Sequence, residues 1–344
     1  MNHVTAAEKK QLHIPRHFTR AAITLLILLG VCIAASLAFG SRMVGWTDLM
    51  DGFFHPDVQS HEANVVRQRM ARTVFSMMCG AALGVSGALM QSVTRNPIAD
   101  PSILGVNTGA SLFVVCGIAF FHIGSADQYI WLAIAGAFLT SLFVFGIGSM
   151  GRGGATPLKL ILAGAATSAI LSSLVMAVML PRTNVMDQFR FWQVGSVGAG
   201  NWDSITTFVP FLLIGLLIAI FTGPALNALA LGDEAASGLG VRPGVLRGAA
   251  IFGSVILCGV TTALAGPIGF IGIMATHAMR LIIGPDLRFL LPMSGLAGAI
   301  ILTISDVAGR LIGSPGELEV GVITAFIGAP ILILLAKKSK VRSL

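Results

Sequence analysis

The feature that most constrains this chain is a series of long stretches without a single Asp, Glu, Lys or Arg. Nine such windows occur: Ala21–Ser41, Thr73–Thr94, Pro101–Ala126, Gln128–Gly151, Leu160–Pro181, Ser204–Gly232, Gly248–Met279, Phe289–Ser305 and Val320–Ala336. A helix crosses a bilayer with about 20 mostly apolar residues. The Gly248–Met279 window is long enough for two passes and is broken by Gly266-Pro267, so the pattern predicts ten spanning helices. Composition agrees: 55% of the 344 residues are hydrophobic and 11% are charged, against roughly 25% charged in a soluble domain. That excludes a soluble enzyme, a disordered chain and a disulfide scaffold. A single Tyr and 41 Gly argue against a lipid-facing barrel, which carries aromatic girdles on alternating strands. The expected fold class is all-α and polytopic, with a tail over residues 1–20, a membrane domain over 21–336 and a basic tail over 337–344. The first window is read as a span, being too long for the apolar region of a secretory signal.

Lys and Arg favour the cytosolic side of a membrane protein. With the N-terminus inside and ten spans, 15 of the 22 Lys and Arg fall inside and seven outside, and the basic C-terminus returns to the cytosol. The formal net charge of +7 then requires no nucleic-acid partner. Cys32, Cys79, Cys116 and Cys258 all lie in apolar windows with no metal-ligand spacing, and are read as small packing residues. Gly80, Gly84, Gly87 and Ala88 give one window a smooth face. Small residues let helix backbones approach closely in lipid, here within one subunit rather than at a dimer seam. Interruptions at Gly266-Pro267 and Ser314-Pro315-Gly316 favour a transporter or channel, because broken helices persist in a bilayer only where protein or a water-filled cavity covers the backbone.

Several signatures are missing. No G-x-x-x-x-G-K-[ST] loop occurs, so ATP is not bound by that route. Carboxylates deep in a span would mark an ion-coupled carrier, and few occur. Asp306 stands four residues before Arg310, the spacing of a local helix pair.

Three segments resist a bland reading. Arg67-Gln-Arg69-Met-Ala-Arg72 places three arginines at an outer helix mouth, against the charge trend. Arginine suits forked pairing with carboxylates, so the cluster reads either as a docking point for an acidic partner or as a headgroup anchor or local pair with Asp57 or Glu62. The inner loop over about 224–247 contains Leu231-Gly232-Asp233-Glu234-Ala-Ala-Ser-Gly-Leu239-Gly240-Val241. It reads as a short helix with a glycine stop, a feature with little purpose unless something binds it. The third segment, Gln91 to Pro101, carries Asn96-Pro97 and Asp100-Pro101 and reads as a tight loop.

At these residues the sequence resembles the permease subunits of binding-protein-dependent ABC importers for iron-siderophores, haem and vitamin B12, the FecCD-type family. The matching motifs are Arg69-Met-Ala-Arg72, Gly87-Ala-Leu-Met-Gln91, Arg95-Asn-Pro-Ile-Ala-Asp-Pro101, Leu231 through Val241, Ala265-Gly-Pro-Ile-Gly-Phe-Ile-Gly272, His277-Ala-Met-Arg280, Ser305-Asp306 with Arg310, and Val320-Gly-Val-Ile-Thr-Ala325. Ala71 and Glu319 stand where the family usually has Pro.

The resemblance implies a type II ABC importer permease fold. It implies a second permease subunit, identical or homologous, two cytosolic ABC ATPase subunits and an extracytoplasmic substrate-binding protein. Arg69, Arg72 and Arg310 match positions that dock acidic residues of the binding protein. Leu231, Gly232, Asp233, Glu234, Leu239 and Gly240 match the segment that couples to the ATPase, and Asn96 and Ile98 match the inner gate. The expected function is ATP-driven import of an iron(III)-siderophore across the inner (cytoplasmic) membrane, with both termini cytosolic. The chain itself is then no enzyme and binds no cofactor, ATP and Mg residing on the partner subunits. Haem or cobalamin as cargo is the alternative, and an ion-coupled secondary transporter a more distant one.

Overall fold

The computed structural model describes residues 16–40, 45–55, 60–123, 126–151 and 156–340. In chain order its helices are α1 (Arg16–Ala38), α2 (Trp46–Phe54), α3 (His61–Thr94), α4 (Val106–Phe121), α5 (Ala126–Ser149), α6 (Pro157–Met179) and α7 (Thr183–Val194). They continue as α8 (Trp202–Leu229), α9 (Asp233–Gly238), α10 (Pro243–Ala265), α11 (Ile271–Ile283), α12 (Leu287–Ile312) and α13 (Val320–Lys340), with a 3₁₀ turn over Pro101–Leu104. No strand occurs among the described residues.

Ten of these helices coincide with the ten expected spans. Seven are long and apolar enough to cross a bilayer by themselves, and three are shorter: α4, α11 and the apolar part of α13, Val320–Leu335. The break between α10 and α11 falls at Gly266-Pro267, as the sequence indicates. Gly266 adopts φ +72°, and a side chain there would run into the Trp192 carbonyl. Helix ends differ from the window edges. α3 begins at His61, well before Thr73, α1 already starts at Arg16, and α13 runs on to Lys340. Backbone hydrogen bonding is indifferent to side-chain charge, and long basic side chains extend to an interface or find partners. The short helices α2 and α7 were not legible as helices. α2 lies against the start of α3, where Gly52 approaches Val66. The turn after α7 is tied to the end of α10 by Ser196 N–H to the Ala265 carbonyl at 2.7 Å, and to α13 by Gly321 N–H to the Gly195 carbonyl at 3.0 Å.

α3 is the axis of the packing. In its most apolar stretch 78% of the residues are buried, against 11% for α1. α12, α10, α11 and α8 surround it. The small face does the work proposed for it within one subunit. A side chain at Gly80 would collide with the Gly298 carbonyl, one at Gly84 with the Ser294 carbonyl, and one at Gly87 with the backbone of Gly272. Lipid offers no hydrophobic drive for helix association, so this closeness and a few buried hydrogen bonds hold the helices. Ser86 Oγ donates to the Ser254 carbonyl at 2.7 Å, and Ser254 Oγ returns a bond to the Ser86 carbonyl at 3.0 Å, locking α3 to α10. Cys32, Cys79 and Cys258 are buried free thiols and Cys116 is partly buried.

Candidate functional sites at the two ends of α3

α3 carries a cluster of arginines at its start and the Arg95 to Pro101 segment at its end. α12 runs antiparallel to it, so the C-terminal end of α12 meets the first cluster and its N-terminal end lies near α9.

At the first end the structure brings Arg69, Arg72 and Arg310 together, but it does not display them as free surface cations. Arg69 is 7% exposed, and its Nη1 donates to the carbonyls of Leu37 at 3.0 Å and Ala38 at 3.2 Å. These are the orphan carbonyls that end α1, where a cation is favoured. Arg310 is 2% exposed. Its Nη1 donates to the Ser36 and Phe39 carbonyls, and its Nη2 donates to Ser36 Oγ at 2.8 Å and pairs with Asp306 Oδ2 at 3.0 Å. The spacing reading of Asp306 and Arg310 as a helix pair therefore holds.

The sequence hid a second role for Asp306. Arg72 Nη2 donates to its Oδ1 at 2.6 Å and Arg72 Nε to both oxygens, while Arg72 Nη1 donates to Glu317 Oε2 at 2.7 Å. The side chain of Asp306 is 3% exposed, so its charge is tolerable only because two guanidiniums share it. Of the alternatives left open for the cluster, Asp57 lies outside the described residues. The three arginines line a recess of about 800 Å³ together with Arg67, Glu317 and Trp202. Four arginines line the recess against one lining carboxylate, Glu317, with Asp306 buried behind it, leaving the recess cationic.

At the other end, Asp233–Gly238 is the short helix the sequence indicated. It stops as a Schellman motif: Val241 N–H donates to the Ala236 carbonyl and Gly240 N–H to the Ser237 carbonyl, with Gly240 at φ +82°. Leu231 and Leu239 flank the helix, and both are largely exposed. Glu234 also faces outward. Asp233 turns inward. Its Oδ1 accepts from Arg95 Nη2 at 2.6 Å and from Arg247 Nη2 at 2.8 Å, and Arg95 Nη2 also donates to the Leu229 carbonyl. Partial burial pushes the Asp233 carboxyl up, but the Arg247 and Arg95 guanidiniums outweigh it and hold the group below the usual carboxylate range.

Arg95 closes α3 in a left-handed backbone conformation, φ +51°. Asn96 follows, and its Oδ1 accepts from the Ile98 N–H at 3.1 Å, the turn geometry expected of Asn before Pro. Asp100 Oδ1 accepts from the Ser102 N–H at 2.9 Å and caps the 3₁₀ turn. Asn96 and Ile98 are thus half-buried parts of one rigid turn adjoining Arg95. Arg95, Arg247 and Glu317 are functional candidates that sequence reasoning missed. Their partners lie 138, 14 and 245 positions away, and two of those separations leave no local pattern.

A bundle of apolar helices with an ion network at one end and a tethered, projecting helix at the other defines a polytopic membrane permease. Comparison narrows the class. The chain belongs to the FecCD transport family, whose profile matches residues 26–338. It is 41% identical over 315 residues to the ferric enterobactin transport system permease protein FepD of Escherichia coli, covering 91% of this chain and 94% of that one. It is 37% identical over 316 residues to the siderophore transport system permease protein YfiZ of Bacillus subtilis, covering 92% and 95%. Among solved structures, a metal-chelate type ABC transporter in an inward-facing conformation superposes with a TM-score of 0.81 at 27% identity, over 93% of this chain and 99% of that one.

Proposed function

We propose that this chain is the membrane-spanning subunit of an ATP-driven importer that passes an iron(III)-siderophore into the cytosol. The single observation that carries the reading is the pairing of two unlike ends on one family fold. The cationic recess at Arg69, Arg72 and Arg310 suits the acidic surface of a substrate-binding protein, and electrostatic complementarity favours fast, correctly registered encounter. The projecting α9, with exposed Leu231 and Leu239 and outward Glu234, suits a cleft in a soluble ATPase. Gly232 and Gly240 give that helix its two bends, at φ +112° and +82°. Asn96 and Ile98 belong to the turn adjoining α9 and act as the inner gate.

This assignment puts α9 and both termini in the cytosol, the arginine recess outside the cytoplasmic membrane, and a second permease, identical or homologous, beside this one. ATP and Mg belong to the ATPase subunits. The relatives named for enterobactin, citrate and hydroxamate chelates favour a siderophore over haem or cobalamin as cargo.

Reconstitution in liposomes with the cognate binding protein and ATPase tests the reading. ATP-dependent uptake of a ferric siderophore from a chelate panel is the expected result. Accumulation by liposomes holding this chain alone would instead make it an ion-driven carrier.

A further inference from the structure

A six-residue helix is too short to hold its own shape, so what fastens α9 decides what its motion can reach. Two fastenings are covalent, through Gly232 and Gly240. Ala236 is fully buried and packs the helix against the bundle, and the polar fastening is Asp233. A single carboxylate oxygen holds Arg95 at 2.6 Å and Arg247 at 2.8 Å. Arg95 is the residue on which α3 ends, and Asn96 to Pro101 begins directly after it. The same guanidinium grips the Leu229 carbonyl at the end of α8. One side chain thus joins the ends of α3, α8 and α9. Arg247, on the first turns of α10, is 8% exposed at its side chain and takes Asp233 as its counter-charge.

We infer that Asp233 is a positioning residue that transmits displacement of α9 to the Asn96–Ile98 turn through Arg95. The inference rests on the proposed function, in which the ATPase moves α9 and that turn gates the path. The chemistry of the link fits a part that must cycle. Asp233 and Arg95 are each close to half exposed, so water exchanges for the bond at little penalty. Arg247 is buried and needs a counter-charge, so the carboxylate returns to its seat. Glu234, one residue on, faces outward and is left to contact a partner. Adjacent carboxylates would then divide the labour, Glu234 toward the ATPase and Asp233 toward the gate.

The test is a double-mutant cycle on the complete importer in liposomes, reading chelate imported per ATP hydrolysed, with complex assembly and thermal midpoint measured alongside. Asp233→Asn and Arg95→Gln should each lower that ratio about tenfold while the complex still assembles and hydrolyses ATP. The double variant should be no worse than the poorer single one, as residues acting through one contact behave non-additively. A normal ratio in Arg95→Gln would overturn the inference even if Asp233→Asn failed to assemble, and so would losses that multiply in the double variant. If the wild-type chain forms no complex with an ATPase, the functional reading fails first and independently of either variant.

Discussion

The two ends of α3 solve the same electrostatic problem in opposite ways. At the recess end, Asp306 is buried with two guanidiniums on it, and Arg69 and Arg310 are anchored in carbonyls at the end of α1. At the α9 end, one carboxylate also serves two arginines, but Asp233 is 46% exposed at its side chain and belongs to a six-residue helix. The first arrangement is closed and multiply supported, so its geometry is fixed before any partner arrives. The second is open, with its ion pairs centred on one half-exposed carboxylate oxygen. The same ion-pair chemistry gives a closed network where water is excluded and an open one where water is admitted.

The sharpest way to break the comparison is to remove the buried carboxylate. Asp306→Ala leaves the buried Arg310 without its carboxylate and Arg72 with Glu317 alone, and stripping one partner from a buried pair costs about 3–5 kcal/mol. The purified chain should unfold at a much lower temperature in detergent. The equivalent loss at Asp233, which strands only Arg247 and leaves Arg95 in water, should lower the midpoint by clearly less, and equal shifts for the two variants would erase the distinction. Next in size is the packing that positions both ends. At Gly84 a valine would meet the Ser294 carbonyl, a backbone atom that cannot swing aside. Overpacking of this kind costs about 1–3 kcal/mol, and thermal unfolding of Gly84→Val should show it.

Burial also changes which variants test docking. Reversing Arg69 and Arg72 to Glu would set new carboxylates against Asp306 and the α1 carbonyls, so assembly should fail along with uptake. Glu317 offers a cleaner probe. Its side chain is 39% exposed and occupies Arg72 Nη1, the donor that looks into the recess. Glu317→Ala should change stability by less than about 1 kcal/mol and free that donor for an incoming acidic side chain. Binding-protein affinity measured on immobilised permease should rise several-fold, and weaker binding would show that Glu317 itself contributes to the docking surface.

How much of this was readable in the chain follows from the range of each interaction. The ten spans were legible because each is a continuous apolar window, and the α10–α11 break because Gly-Pro punctuates it. α9 was legible because its Ala-rich turn and its Gly stop sit within one loop. Asp306 with Arg310 was legible at a spacing of four. Arg72 with Asp306 and Arg95 with Asp233 join residues 234 and 138 positions apart, and only the packed bundle brings them together. The early start of α3 was hidden for the same reason. Its arginines look like the edge of a span until their partners on α1 and α12 are in place. The family motifs marked Arg69, Arg72 and Arg310 as important, but burial decides that they are held from within.

The smallest expected effect concerns protons, and it separates the two ends without changing the fold. The Asp233 carboxyl is held below the usual carboxylate range by Arg247 and Arg95. A depressed pKa means that the folded arrangement prefers the ionised form. Its contribution is therefore fully present above the ordinary carboxylate pKa, and it fades only as pH falls through the lower value of the folded state. Across neutral and mildly acidic buffers the tether should stay intact, with chelate imported per ATP flat in pH. Asp233→Asn should be equally flat but at its lower level, because amide and carboxylate differ there at every pH. A wild-type ratio that declined steadily between pH 7 and pH 5 would place the titrating group elsewhere in the importer, since no group held below the usual range can release its arginines in that window; a decline in wild type that Asp233→Asn abolished would contradict the lowered carboxyl.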